Sequence, residues 1–389
     1  MISRPSYRAA LDLALKRSPV TALLGPRQCG KTTLARTFVG QTPEQVHYFD
    51  LEAPADRQRL QNPELLLTSI SGLIILDEIQ AVPEIFNILR VLVDRPEHQN
   101  RYLILGSASP QIIKNVSETL AGRVEFVELS GFDLSETDAS AKDKLWLRGG
   151  FPRSYLAKTD ADSMAWREGF IRTFLERDIP QLGLSIPAPA MRRFWTMLAH
   201  LHGQTWNASD LGRSMSLTDK TVRRYLDILS GTYMVRQLQP WHENLKKRQV
   251  KAPKVYLRDS GLLHSLFNIS SLVDLLGHPA LGASWEGFAL EQFLRIQQPA
   301  EAYFWSTYSG AELDLLLFAG GKRYGLEFKF NEAPKITKSM HVALHDLDLQ
   351  HLWVVYPGRE SYPVHEKITV QAITDIAILS ARLKNRQAF

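Results

Sequence analysis

Across 389 residues there is a single cysteine, Cys29. A lone thiol excludes an internal disulfide and fits a reducing, cytoplasmic setting. Long apolar runs are also missing, since no stretch approaches the roughly 20 residues that a membrane helix needs. The N-terminus, MISRPSYRAALDLALKR, lacks the apolar core of a signal peptide. No membrane partner is therefore expected. Repeats and low-complexity tracts are absent as well. What remains is the composition of a soluble globular protein, 44% hydrophobic and 22% charged. The length allows two or three domains with ample core. A net charge of +5 and a pI near 9.1 permit an anionic partner without identifying one.

The most informative stretch runs from Val20 to Thr33, VTALLGPRQCGKTT. Its apolar start reads as a buried strand that stops at Gly25. The residues Gly25, Pro26, Arg27, Gln28, Cys29, Gly30, Lys31 and Thr32 then fit the phosphate-binding spacing G-x-x-x-x-G-K-[ST]. Glycines let backbone N–H groups close around a phosphate, and the helix that follows offers its positive end. In this pattern Lys31 reaches the β- and γ-phosphates and the Thr32 hydroxyl ligates Mg²⁺. Thr33 completes the loop. ATP and Mg²⁺ are the expected ligands.

Val46 to Leu51 reads as a second strand, and Gly72 to Glu78 as a continuous apolar strand ending in two acids. That is the form of a Walker B element. Asp77 is placed to hold the metal, directly or through water, and Glu78 to polarise the attacking water. Arg101 to Ser109 gives another buried strand with hydroxyls at its carboxyl end, the edge where ligands gather in α/β sheets. Ser107 would sense the γ-phosphate or position water, an ordinary turn serine being the alternative. A helix pattern from Ile112 to Leu120 ends at Gly122, and Arg123 precedes a fifth strand, Val124 to Leu129.

These residues carry a resemblance. The run Gly25 to Thr33, Ile75-Leu76-Asp77-Glu78-Ile79-Gln80, Gly106-Ser107, Ala121-Gly122-Arg123 and Arg148-Gly149-Gly150-Phe151-Pro152 resemble the AAA-type ATPases of archaea and bacteria whose C-terminal half is the domain of unknown function DUF4143. The resemblance implies a five-stranded core with an extra strand between the two Walker strands. It makes Arg123 the candidate finger completing a neighbour's site, with a solvated surface charge as the alternative. It also implies a homo-oligomer, a ring of hexameric type. Cys29 lies within the loop, where an inert small residue is favoured over a redox-sensitive one.

Ser135 to Lys144 is polar and linker-like, and helical sequence follows from about Ser163 to Leu182. Its arginines, Arg167, Arg172 and Arg177, read as a solvated face. Between Thr205 and Leu226 two helices separated by a tight turn are expected, with Asn207 and Thr218 as N-caps. This is helix-turn-helix spacing, and the second helix presents Lys220, Arg223 and Arg224. Two strands follow, Met234 to Leu238 and Lys254 to Leu257, joined by a loop carrying Lys246, Lys247, Arg248 and Lys251. Basic charge in such a wing suits binding to phosphates, though winged helices also bind proteins.

Trp285 to Ile296 reads as an amphipathic helix with Glu286 inside its apolar face and Glu291 on its polar side. Glu312 to Leu317 and Tyr324 to Phe330 alternate as half-buried strands around Gly320-Gly321, a two-residue hairpin turn. Pairing outward from that turn sets Asp314 opposite Glu327 and Glu312 opposite Lys329 on one face. Two carboxylates beside a lysine can bind Mg²⁺ and activate water. The pattern resembles the PD-(D/E)xK nuclease core, which makes Asp314 and Glu327 metal ligands, Lys329 the water-positioning group and Glu286 an assistant. No proline precedes the aspartate, and a surface salt-bridge ladder is the alternative. A strand from Leu352 to Tyr356 and a helix from Ile373 to Leu383 would close the layer.

The expected fold is thus multidomain α/β. It comprises a P-loop AAA-type parallel-sheet core (1–134), a linker and helical lid (135–190), a winged helix-turn-helix (191–260) and a PD-(D/E)xK-like domain (261–389). The leading reading is an ATP-driven machine acting on DNA, branched forms included, with a metal-dependent nuclease-type domain. The rival is an ATP-controlled switch whose C-terminal half binds protein or nucleic acid without cutting.

Overall fold

The computed structural model describes residues 2–42, 44–97, 99–107, 116–182, 186–243 and 249–384. Two compact units divide the chain: Met1–Gly131 with Asp227–Tyr233, and Phe132–Leu226 with Met234–Phe389.

The first unit is built on five parallel strands, β1 (Val20–Gly25), β2 (Val46–Asp50), β3 (Leu73–Asp77), β4 (Arg101–Ser107) and β5 (Val124–Glu128). Their order is β2-β3-β4-β1-β5, so β4 separates the two strands that end in the Walker motifs. The three central strands β3, β4 and β1 are covered on both faces, which is why they read as near-continuous apolar runs, whereas the edge strands β2 and β5 are only partly buried. On one face Val20, Ala22, Leu24, Ile74, Leu76 and Ile104 pack with Phe86 and Leu89 of the helix Ile85–Val93. On the other, Leu23, Ile75, Leu103 and Leu105 pack with Tyr7, Leu11, Leu34 and Phe38. The period-2 alternation of strand side chains produces this split. The expected helix from Ile112 begins outside the described residues, and its end at 116–119 is helical.

The second unit contains a nine-stranded sheet of order β13-β14-β12-β11-β10-β9-β7-β8-β6. Its members are β6 (Gln204–Thr205), β7 (Val235–Pro240), β8 (Lys254–Leu257), β9 (Ala302–Ser306), β10 (Glu312–Ala319), β11 (Lys322–Phe328), β12 (His351–Tyr356), β13 (Tyr362–His365) and β14 (Ile368–Ala372). The strands expected in the wing and those expected in the nuclease-like layer therefore belong to one sheet, joined where β7 runs parallel to β9. Gly320 and Gly321, at φ 58° and 76°, make a tight turn between β10 and β11, and Ala319 faces Lys322 across it. Positive φ at both central residues matches the right-handed twist of the hairpin and favours glycine there. The paired register ends at Leu315↔Leu326, and the next residues on each strand, Asp314 and Glu327, share the Lys329 ammonium, in keeping with the register expected from the turn. A cluster of Trp305, Leu313, Leu316, Met340, Ala343, Leu352 and Val354 fills the space between sheet and the helix Lys338–Asp346.

One expectation about the arginine-rich helix needs correction. Arg167 is fully buried in the helix Asp160–Thr173, donating to the carbonyls of Leu147 (3.2 Å), Ser163 (3.3 Å) and Gly261 (2.7 Å), whereas Arg172 and Arg177 are exposed. Burial pulls its pKa down to about 10. Helical backbone runs from Asp160 to Gln181, close to the expected span. It widens into a π-helical segment at Phe174–Asp178, just before Pro180, whose ring cannot supply the next backbone donor.

Candidate functional sites

The phosphate-binding loop leaves β1 at Gly25, whose Cα approaches the neighbouring strand so closely that an added Cβ would lie 2.1 Å from the Leu129 carbonyl oxygen. Only glycine fits. The loop passes through left-handed backbone at Gln28 and Gly30, and Gly30 precedes the helix Lys31–Val39. Lys31 is buried, its Nζ donating to the carbonyls of Gly25 (3.1 Å) and Pro26 (3.0 Å). Two of its three N–H donors are thus held inside the loop, which leaves one for an anion. Cys29 is fully buried and burial pushes its thiol up, as an inert packing residue requires. Arg27 pairs loosely with Glu52 at 3.9 Å.

At the end of β3, Asp77 Oδ2 accepts hydrogen bonds from Thr32 Oγ1 (2.9 Å) and from the Tyr48 hydroxyl, while Oδ1 accepts from the Glu78 N–H at 2.9 Å. The loop threonine and the Walker B acid are therefore in contact, although 45 residues separate them in sequence. Glu78 takes left-handed backbone (φ 55°), and its carboxylate accepts from the Gln80 amide. Ser107 lies directly opposite Gly25 in the β1–β4 register, and its buried Oγ has no hydrogen-bond partner among the described residues. Lys31, with a donor to spare, and the Ser107 hydroxyl, without a partner among the described residues, both adjoin Gly25, an arrangement that fits a phosphate group. A Thr–Asp pair beside them fits a hydrated Mg²⁺. Arg123 precedes β5 and forms a two-bond pair with Asp94, at 2.6 and 2.9 Å.

The two helices expected around the tight turn are Ala208–Met215 and Asp219–Gly231. Asn207 caps the first through the Ser209 N–H, and Thr218 accepts from the Thr221 N–H. Lys220, Arg223 and Arg224 are exposed, and the Arg223 guanidinium lies 5.6 Å over the Trp206 ring. Lys251 is exposed, whereas Lys246, Lys247 and Arg248 lie outside the described residues.

The acidic site gathers Glu286, Glu312, Asp314, Glu327 and Lys329, together with two residues the sequence did not single out. Lys254 of β8 is buried, with Nζ 3.4 Å from Glu286, 3.7 Å from Asp314 and in a close ion pair with Glu312. The Tyr256 hydroxyl donates to Glu286 at 2.7 Å. Lys329 Nζ lies 2.7 Å from Glu327 and 3.5 Å from Asp314, and the Phe328 N–H donates to Asp314 at 3.0 Å. Burial, with the charge of Asp314, pushes Glu286 up to about 7. Burial likewise raises Glu327 well above the usual range. It would raise Asp314 too, but Lys254 and Lys329 outweigh it and hold that carboxyl below its ordinary value. These residues do not fit a divalent ion. Every carboxylate is held by a donor of the protein, two ammonium groups stand among the acids, and no group of three or more His, Cys, Asp or Glu among the described residues is arranged to hold a metal.

Comparison with known proteins follows the same division. Residues 17–137 match an AAA domain, 140–273 a domain of unknown function (DUF8612) and 281–376 a domain of unknown function (DUF4143). Rv2008c of Mycobacterium tuberculosis, an uncharacterized protein, is 50% identical over 380 residues, covering 98% of this chain and 85% of its own length. The chain belongs to the AAA-type ATPases with a C-terminal DUF4143 domain. Mb2031c of Mycobacterium bovis, also uncharacterized, matches to the same extent. Among solved structures, the Walker-type ATPase PABY2304 of Pyrococcus abyssi is similar with a TM-score of 0.52 at 14% identity, covering 69% of this chain and 96% of its own. At that identity the likeness concerns fold alone.

In this family member the sequence missed Tyr48, Lys254 and Tyr256. Lys254 and Tyr256 were legible only as members of a short strand; their acids lie some 30 to 60 residues further along the chain. Glu291 is a correction. It is buried rather than on a polar side, held by Arg236, by Arg258 at 3.5 Å and by Arg295 at 3.8 Å. Burial would raise its carboxyl, but the three guanidiniums outweigh that and bring it to about 2. The helix Leu281–Gln297 buries nearly every residue from Ser284 to Leu294, so it has no solvated side for Glu291 to occupy. Finally, no helix among the described residues is long and apolar enough to cross a membrane.

Proposed function

We propose that this chain is a Mg²⁺-dependent ATPase of the cytoplasm that couples ATP binding and hydrolysis to action on DNA, working as a homo-oligomeric ring. The observation that carries the ATPase reading is the contact of Thr32 with Asp77, together with Lys31, which has one donor to spare, and the Ser107 hydroxyl, which has no partner among the described residues. Mg²⁺ would supply charge neutralisation on the transferring phosphoryl group. The residues of the chain do the rest. Lys31 and the loop N–H groups bind and orient the phosphates. Thr32 and Asp77 fix the metal's position, and Ser107 marks the γ-phosphate end of the site. Glu78 accepts a proton from the attacking water, and Arg123 would reach a neighbouring subunit once released from Asp94.

The exposed Lys220, Arg223, Arg224 and Lys251 support DNA as the partner, with Lys246, Lys247 and Arg248 extending the basic segment in sequence. Replacing Lys246, Lys247, Arg248 and Lys251 together by glutamine should weaken binding to linear and branched duplexes. The slope of log affinity against log salt should fall by about one for each phosphate that is no longer neutralised. An unchanged slope would make the partner a protein instead.

For the C-terminal unit two readings compete. In the nuclease-type reading Asp314, Glu327 and Glu286 hold a metal and Lys329 positions water. The position of Lys254 among those acids favours the other, an ATP-controlled switch whose C-terminal half binds without cutting.

A further inference from the structure

Acids that share one face of a sheet repel one another unless a cation stands between them. In this chain that cation is part of the protein. Lys254 enters from β8, two strands beyond the β9 neighbour of the β10–β11 hairpin, and its ammonium reaches Glu286 on a helix and Glu312 and Asp314 on β10 at once. Its Nζ also lies 5.6 Å from the centroid of the Phe304 ring, and the whole side chain is buried. Tyr256, two residues further on the same strand, takes Glu286 as well. One short strand thus supplies both donors that tie the helix carboxylate to the hairpin carboxylates.

We propose that Lys254 is the resident cation of this site, occupying the place a divalent ion would take among Glu286, Glu312 and Asp314 and thereby excluding it. The assignment deepens the non-cutting reading of the C-terminal unit and rests on it. A divalent ion needs ionised carboxylates with free lone pairs and is repelled by a neighbouring ammonium. Here each acid already has a donor of the protein at one or both of its oxygens, and the Lys254 ammonium is buried among them.

The test uses the full, nucleotide-free chain titrated with Mn²⁺ and followed by loss of the free-ion electron paramagnetic resonance signal. Wild type should take up no Mn²⁺ in an Asp314-dependent manner below about millimolar concentration, an affinity typical of weak sites. Lys254→Met, which keeps the length of the side chain without its charge, should bind Mn²⁺ at least tenfold more tightly, and adding Asp314→Asn should abolish the gain. Lys254→Arg should behave as wild type. A folded Lys254→Met protein with no gain overturns the assignment. Should that variant fail to fold, the wild-type arm decides, because Mn²⁺ binding that Asp314→Asn removes overturns it outright. Such binding without DNA cleavage sinks the Lys254 assignment alone. Mg²⁺-dependent cleavage lost in Asp314→Asn sinks both the assignment and the non-cutting reading.

Discussion

Tyr48→Phe removes one hydroxyl and leaves the ring in place. Tyr48 and Thr32 donate to the same oxygen of Asp77, so the variant leaves that oxygen with a single side-chain donor and the carboxylate freer to turn. A hydrogen bond to a charged acceptor contributes about 1.5–3 kcal/mol, which corresponds to roughly 10- to 100-fold in an equilibrium constant. Groups that orient a metal-binding residue from behind have effects of about the same size, 10- to 100-fold. Tyr48 is only half-buried, and water can replace part of what it gives. The effect therefore falls at or just below the low end, about five- to tenfold. The assay is the binding of a fluorescent ATP analogue while Mg²⁺ is titrated. Nucleotide affinity in EDTA should match wild type, and the Mg²⁺ concentration at half-effect should rise five- to tenfold. An unchanged Mg²⁺ midpoint would refute the reasoning, because Tyr48 would then contribute nothing to the orientation of Asp77.

Glu291→Gln should destabilise the second unit by about 3–5 kcal/mol, since three arginines lose the charge they surround; urea unfolding followed by tryptophan fluorescence measures it. The ion cluster also sets a pH dependence. Because the Glu291 carboxyl is held at about 2 in the folded chain, its contribution is complete above the ordinary carboxylate range and is lost as pH falls toward 2, and Glu291→Gln should flatten that limb. Arg123→Ala should bind ATP as wild type does yet hydrolyse it poorly, and mixing in Lys31→Ala subunits should restore part of the turnover. No restoration in a verified mixed oligomer would leave Arg123 as a surface charge paired with Asp94.

The phosphate loop was legible because its chemistry is contiguous. Eight residues at fixed spacing specify a strand end, a tight loop and a helix start. The Gly320-Gly321 turn was legible for the same reason, and it set the register that brings Asp314 beside Glu327. The order of the strands was not, since nothing local says that β4 inserts between β1 and β3; that came only from family resemblance. The buried charges were misread or missed because their partners are distant. Glu291 looked solvated on a helical wheel, yet two of its three arginines lie at 236 and 258, outside its helix. Arg167 looked solvated among other arginines, but the carbonyls it satisfies belong to residues 147 and 261 as well as 163. Tyr48 falls on the strand beside β3, so only the paired sheet brings its hydroxyl to Asp77. Lys329 lies between the hairpin acids Asp314 and Glu327 and was legible from its own strand, whereas Lys254, which reaches Asp314, Glu312 and Glu286 from β8, was not.

The central claim is that Lys31, Thr32, Asp77 and Glu78 form one site for ATP hydrolysis. The most direct measurement is steady-state ATP turnover with Mg²⁺, alongside nucleotide binding, for wild type, Lys31→Ala and Glu78→Gln. The account predicts Mg²⁺-dependent turnover by wild type, loss of both binding and turnover in Lys31→Ala, and retained binding without turnover in Glu78→Gln. Turnover by Glu78→Gln equal to wild type would contradict it.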